Sequence, residues 1–313
     1  MLNTKGDNDM IQKGKNSNGV KLTERFEQGK FVITCEVGPP KGIEIDKLID
    51  ELVPLRDKVD AFNVTDLQSS VMRVGSLATC RLLKDKDLEP IMQLTCRDRN
   101  RLGLQSDVLS AAVLGIENLL CLTGDHPKLG DHPQAMPVFD LDSVQLLAAV
   151  KTLMSGKDMA GNDLEGRPPQ FCLGAVVNPG ANPLEPQIIK MAKKVEAGAE
   201  FFQTQAVYEV DKFADFMKKA KSSIDKKVPV MAGIVFLKSP AMAKFMNANV
   251  AGIHVPDEIT DELAAVPKEK RVEKSLQISA RLIKQLKDLC QGIHIMSLGW
   301  ERHIATVLEM AGL

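Results

Sequence analysis

What this chain does not contain narrows its chemistry before any motif is read. Lys and Arg number 40 against 41 Asp and Glu, a net charge of −1, so no field of one sign draws it to nucleic acid or to an anionic membrane. Neither partner is expected. No stretch approaches the ~18 uninterrupted apolar residues of a spanning helix, and Met1 to Val20, rich in Asn, Lys, Gly and Asp, has no apolar signal-peptide core. The cysteines (Cys35, Cys80, Cys96, Cys121, Cys172, Cys290) form no C-x-x-C pair. They read as buried reduced thiols, which implies a reducing, cytoplasmic setting. No G-x-G-x-x-G follows the first strand-like run, which argues against an open dinucleotide-binding sheet. No ring of metal ligands is present either, so no metal is expected.

What is present is a regular alternation. Strand-like runs fall at 31–37, 60–64, 90–95, 118–122, 171–177, 200–205, 229–235 and 293–296. Most are apolar throughout, as strands covered on both faces should be. Between them lie amphipathic stretches such as 45–56, 101–114, 141–154, 185–197 and 271–289, each long enough for a crossover helix. Eight β/α units in one register predict a single (β/α)8 TIM barrel. At 313 residues and 44% hydrophobic, the chain accommodates such a barrel of ~250 residues. Residues 1–24 are expected to be a mobile tail and 25–313 the barrel domain, with a polar, Gly-rich surface excursion at 156–169 before the fifth strand.

In a barrel of this kind the chemistry sits just beyond the carboxyl ends of the strands. That places Glu36, Thr65, Thr95 with Cys96, Thr123 to Asp125, Asn178, Gln205, Val235 with Phe236, and Ser297 to Trp300 around one mouth. A carboxyl group in a dry mouth has its pKa raised and can donate a proton near neutral pH, which suits Glu36 as a general acid. Its alternative is a structural acceptor at a turn. Asp125 could accept two parallel hydrogen bonds from a heterocycle, or could serve as a turn cap in Thr-Gly-Asp-His-Pro. The duplicated Gly124-Asp-His-Pro127 and Gly130-Asp-His-Pro133 are read as turn chemistry rather than a metal site. Lys190, Lys193 and Lys194 share one helix face, either a solvated surface or a phosphate clamp over the rim.

Glu36 followed two residues later by Pro-Pro, Leu-Thr-Cys at 94–96, Thr-Gly-Asp at 123–125, Glu-Ala-Gly-Ala at 196–199 and Thr-Gln at 204–205 occur in this order in methylenetetrahydrofolate reductases. The chain resembles that family over about residues 25 to 311. The resemblance implies a flavin-dependent barrel that reduces 5,10-methylenetetrahydrofolate to 5-methyltetrahydrofolate, with hydride passing from the flavin to the methylene carbon. By position it implies Glu36 and Asp125 as catalytic residues. Flavin-binding positions would be Thr65, Gln93, Thr123, Gly124, Asp125, Asp140, Asn178, Asn182, Lys190 and Lys194. Folate-binding positions would be Glu36, Asp125, Gln205, Phe236 and Trp300. Several positions depart from the family: Gln93 and Asn182 replace His, Thr123 replaces the Arg before Gly-Asp, and Asn178 replaces a Tyr. The resemblance implies FAD as the cofactor, and these departures, which weaken the grip on its dinucleotide part, make FMN the alternative. The electron donor is NAD(P)H or an iron–sulfur partner subunit, and an oligomer is expected. Two other functions remain open at this stage: a lyase or aldolase using the same acids, or a pterin-binding module without redox turnover.

Overall fold

The computed structural model describes residues 22–224 and 226–313. The eight strands are β1 (Val32–Val37), β2 (Ala61–Val64), β3 (Pro90–Thr95), β4 (Asn118–Leu122), β5 (Cys172–Val177), β6 (Phe201–Ala206), β7 (Val230–Val235) and β8 (Gly292–Met296). All pair in parallel, and β8 closes on β1, giving a closed barrel in sequence order. The expected TIM barrel is the fold, and each strand lies within a residue or so of its expected span. The expected surface excursion also holds: 156–169 is mostly exposed and carries one short antiparallel bridge, Lys157 to Asp163.

The helices are α1 (Leu22–Glu27), α2 (Asp46–Leu52), α3 (Ser76–Lys84), α4 (Arg101–Val113), α5 (Ser143–Met154), α6 (Glu185–Glu196), α7 (Val210–Ser223), α8 (Pro240–Asn249), α9 (Asp257–Ala264), α10 (Arg271–Leu286) and α11 (Ile304–Ala311). Three of them have side-chain N-caps that set where they begin: Asn100 before α4, Asp142, in a capping box with Gln145, before α5, and Ser239 before α8. No helix among the described residues is long and apolar enough to cross a membrane. The expectation of a tail over 1–24 falls mainly on residues outside those described; α1 straddles its boundary and is part of the barrel.

The barrel interior is layered. Its amino-terminal end is an apolar plug of Val32, Ala61, Ile91, Leu120, Cys172, Phe201 and Met231, closed from below by Leu22 of α1. Phe26 of α1 stacks on Phe201 at 5.6 Å. Phe201 needs room that β5 supplies: a Cβ at Gly174 would lie 2.3 Å from its ring. Gly174→Ala should therefore cost about 1–3 kcal/mol through overpacking, and an unchanged denaturation midpoint would refute this account of the plug. The next layer is polar. Asn63 donates to Gln203 Oε1 (2.9 Å), Gln203 donates to the Thr34 hydroxyl (3.2 Å), and that hydroxyl meets His294 Nδ1 at 3.0 Å. Burial holds His294 down to about 3, so it works as a neutral hydrogen-bonding group. Above this layer the barrel opens.

Candidate active site

Successive strand residues point to opposite faces. Val32 lies in the plug, Thr34 in the polar layer, and Glu36 faces the mouth. The Glu36 carboxyl is half-buried, and Oε1 accepts one hydrogen bond, from Gln68 Nε2 at 2.7 Å. Burial, with a contribution from the Glu301 carboxylate, raises its pKa to about 7; the Gln68 hydrogen bond opposes the rise. A carboxyl group raised this far can hold or release a proton near neutral pH.

Asp125 lies three residues past β4, exposed, and its carboxylate bonds to no other described residue. The two acids share one rim because the turn Gln68–Ser70 joins them. Gln68 holds Glu36, and the Ser70 hydroxyl donates to the Asp125 carbonyl at 2.9 Å. Gly124 adopts φ +89°, and a Cβ there would crowd Thr95 and Arg97 at 3.1 Å. Glycine is thus required both by conformation and by contact.

The remaining expected positions separate into groups. Thr65, Gln93 and Gln205 stand at or just inside the mouth. Thr65 donates to the Val37 carbonyl at 3.3 Å. The side chains of Gln93, 9% exposed, and Gln205, exposed, bond to no described residue. Gln205 reaches solvent because β6 carries an extra residue against β7: Gln203 pairs with Met231, but Ala206 with Gly233. The Thr204 hydroxyl fills the gap, accepting from Gly233 N–H at 2.9 Å.

Thr123 accepts from Ser143 N–H at 3.2 Å at the start of α5. Lys194, 5% exposed, turns away from the exposed Lys190 and Lys193 and donates to the Val176 carbonyl at 2.6 Å. Burial first, then Lys190, lowers its pKa to about 8. The three lysines therefore do not form one stripe. Lys194 leaves it because the inner edge of α6 packs on β5.

Asn178 donates to the Ala251 carbonyl at 3.0 Å and accepts from Gly180 N–H at 3.1 Å, which ties two rim loops together. Asn182 is exposed. Asp140 is engaged by the backbone and side chain of Arg101, which holds its carboxyl below the usual range. Trp300 is partly buried beneath Lys238 Nζ, 5.2 Å from the ring centroid. Lys238 also donates to the Leu298 carbonyl. Phe236 needs correcting: it is wholly buried in the shell between strands and helices. The arithmetic of strand ends put it one residue too far around the pleat to face the mouth.

The repeated Asp-His-Pro segments act as turns. His126 accepts from Lys128 N–H at 3.2 Å. Asp131 accepts from Lys41 Nζ at 2.5 Å and Met72 N–H at 3.1 Å, knitting three rim loops.

Sequence reasoning missed a group of charged residues under the rim. Asp66 has no exposed side-chain surface and accepts from Thr95 N–H (2.9 Å), Thr95 Oγ1 (2.8 Å) and Arg99 (2.8 Å). Arg97 is also buried; it pairs with Asp98 and donates to Ser70 Oγ at 3.2 Å. The phrase Arg97-Asp-Arg99 directly after Thr95-Cys96 was the available signal, because alternating charges one step past a strand end lie at the rim. Glu301 and Gln68 were also missed. They lie several residues beyond their strands, outside the simple count.

The sequence model of the family described as methylenetetrahydrofolate reductase matches residues 21–312. Methylenetetrahydrofolate reductase 2 of Schizosaccharomyces pombe is 25% identical over 94% of this chain and 47% of its own length. The 5,10-methylenetetrahydrofolate reductase of Pectobacterium carotovorum is 24% identical over 80% of this chain and 79% of its own. The chain thus spans about half the length of the fungal relative. Among solved structures, an uncharacterized protein from Clostridium thermocellum that binds two copies of 5-methyl-5,6,7,8-tetrahydrofolic acid superimposes with a TM-score of 0.60. It is 18% identical and covers 93% of this chain and 98% of its own, a likeness of fold. With a family match over nearly its whole length and the expected barrel beneath it, this chain belongs to the methylenetetrahydrofolate reductase family.

Proposed function

We propose that this chain reduces 5,10-methylenetetrahydrofolate to 5-methyltetrahydrofolate, with a flavin as its redox cofactor and Glu36 as the proton donor. The observation that carries the reading is the Glu36 carboxyl, inside the mouth and raised to about 7, in a chain of this family. Opening the methylene bridge requires a proton on one of its two nitrogens, and a group half protonated near neutral pH delivers it without a large uphill step. The product keeps the bridge carbon as a methyl group on the other nitrogen, so the donor oxygen must reach only one side of the bridge.

The residues of the mouth fit a flavin. Gln93, Gln205 and Asp125 offer amide and carboxylate groups that bond to no described side chain, a set suited to the alternating N–H and C=O groups of flavin and pterin rings. Thr65, Thr123, Gly124, Asn178, Asn182, Asp140, Lys190 and Lys194 are the positions we assign to the remainder of the cofactor, with Trp300 beside the folate. When bound, the flavin supplies the hydride, and the protein supplies orientation, the proton and exclusion of water. FAD is the proposed form, with FMN the alternative, because Thr123 brings no positive charge where relatives carry Arg. The electron donor is proposed to be NAD(P)H or an iron–sulfur partner subunit, in a homo-oligomer of the chain.

The test is to purify the chain, release the cofactor and weigh it by mass spectrometry. 5-Methyltetrahydrofolate is then added to the oxidised protein without oxygen. Loss of the yellow absorbance is expected. A protein that takes up neither FAD nor FMN would refute the redox reading, and one that binds folate without colour change would favour the pterin-binding module.

A further inference from the structure

Two residues act on the Glu36 carboxyl from opposite sides, and neither comes from the family resemblance. The first is Gln68. Its amide donates to Glu36 Oε1 at 2.7 Å, which leaves Oε2 as the oxygen that carries the proton in the neutral acid. Gln68 sits in a turn whose neighbours Leu67, Ser69 and Ser70 all have left-handed backbones, φ 51°, 55° and 57°. Side chains other than glycine rarely adopt this conformation, and three within four residues persist only where surrounding contacts impose them. Contacts of this kind surround the turn. Ser70 Oγ donates to the Asp125 carbonyl and accepts from Arg97. The Ser70 carbonyl lies so close to Gly130 that a Cβ there would come within 1.8 Å of it.

The second is Glu301, 6% exposed, at the start of the short 3-10 turn 301–303 that follows β8. Its Oε1 accepts from Ser297 Oγ at 2.9 Å and from Gly299 N–H at 3.0 Å. β8 pairs with β1, Ile295 beside Cys35, and the 3-10 turn packs on α2, the helix after β1. Glu301 thereby sits just past the strand that neighbours β1 and against the helix that follows β1.

We propose that Gln68 and Glu301 are positioning residues for the proton donor: Gln68 orients the Glu36 carboxyl through its hydrogen bond, and Glu301 sets the charge that Glu36 meets from the β8 side of the seam. The inference rests on the donor role proposed above. Of the other groups around Glu36, the buried ones are neutral or paired, and Asp125 on the same rim is an exposed carboxylate that bonds to no described side chain. The Cys35 thiol is pushed well up by burial and by these same two carboxylates. His294 in the layer below is neutral, and Asn63 on β2 carries no charge. Asp66 is bound by Arg99. On α2 the apolar Ile49 and Leu52 are buried, and Asp46, Lys47, Asp50 and Glu51 are exposed, as is Arg302 beside Glu301.

Two variants and two readouts test the pair in the flavin-loaded protein. Glu301→Gln retains an acceptor for Ser297 and Gly299 but removes the charge, so the alkaline limb of the rate profile should move down by ~0.5–1 pH unit. Gln68→Met should move the same limb up by ~0.5–1 unit and lower kcat about tenfold through lost orientation. In parallel, carbon-13 NMR of glutamate-labelled protein follows the Glu36 carboxyl directly, identified by its absence in Glu36→Gln. Opposite shifts of that resonance support the pair. If the resonance shifts and the rate profile does not, the donor role fails while the pair stands. If the resonance shifts in neither variant, or in the same direction in both, the pair is overturned whatever Glu36 does in catalysis.

Discussion

Glu36→Gln should lower the rate of folate reduction by about 10²- to 10⁴-fold, the usual contribution of a positioned general acid, and leave reduction of the bound flavin by its electron donor almost unchanged. The amide keeps the size of the side chain and can still meet Gln68, so only the proton is lost. Rapid-mixing measurement of the two half-reactions separates these effects, and equal losses in both would contradict the acid assignment. The same substitution should also alter stability. Glu36 is raised from 4.5 to about 7 in the folded chain. Below about pH 4.5 the acid is neutral in both folded and unfolded states, and its burial carries no ionisation penalty. As pH rises through 4.5 the unfolded chain ionises first, so the folded state loses stability until its own carboxyl ionises near 7. Above that the loss is complete, on the order of 3 kcal/mol. Glu36→Gln should therefore melt like the parent near pH 4.5 and at a higher temperature at pH 8. A melting difference that does not grow with pH would show that the carboxyl is not desolvated.

The second large effect is expected at Asp66. Its carboxylate is wholly buried and serves Thr95 and Arg99 at once. Asp66→Ala would leave the buried Thr95 N–H and hydroxyl without their acceptor and the partly buried Arg99 guanidinium with Asp107 as its remaining partner. Leaving buried donors unsatisfied costs about 1–3 kcal/mol, and the denaturation midpoint should fall accordingly. Because Thr95 packs on Gly124, the Gly124–Asp125 turn should loosen as well, and folate affinity should fall with stability. A variant as stable as the parent would remove Asp66 from any structural role at the rim.

The resemblance between expectation and structure is uneven, and the reason differs by element. β1 and β4 were legible to within a residue because continuous apolar runs are stopped by Gly-Pro-Pro and Thr-Gly. Helices α3, α7, α8, α9 and α11 were not among the stretches singled out, although α7 and α9 are strongly amphipathic. Leu22 and Phe26, on either side of the expected boundary at residue 24, look like isolated apolar residues until the open end of a barrel is there to receive them. Lys194 and Phe236 show the same limit at the site. Spacing placed one on a charged helix face and the other at a strand end, and the family resemblance then gave each a ligand. Packing instead sent one inward to a carbonyl and the other into the core.

By itself, the order of apolar runs, glycines and strand-end acids determined that this chain closes a parallel barrel, with Glu36 at the end of β1 and Asp125 beyond the end of β4. Such features are local: strand periodicity and turn chemistry act over a few residues, and a barrel made in sequence order turns chain position into rim position. Only the tertiary structure decided what surrounds those acids. Gln68 reaches Glu36 through a left-handed turn held by Arg97, Ser70 and the Asp125 carbonyl, and Glu301 arrives from the far end of the chain across the seam where β8 meets β1. The proton affinity of Glu36 follows from that convergence, because burial and the field of a second carboxylate depend on distance in space, which no spacing along the chain contains.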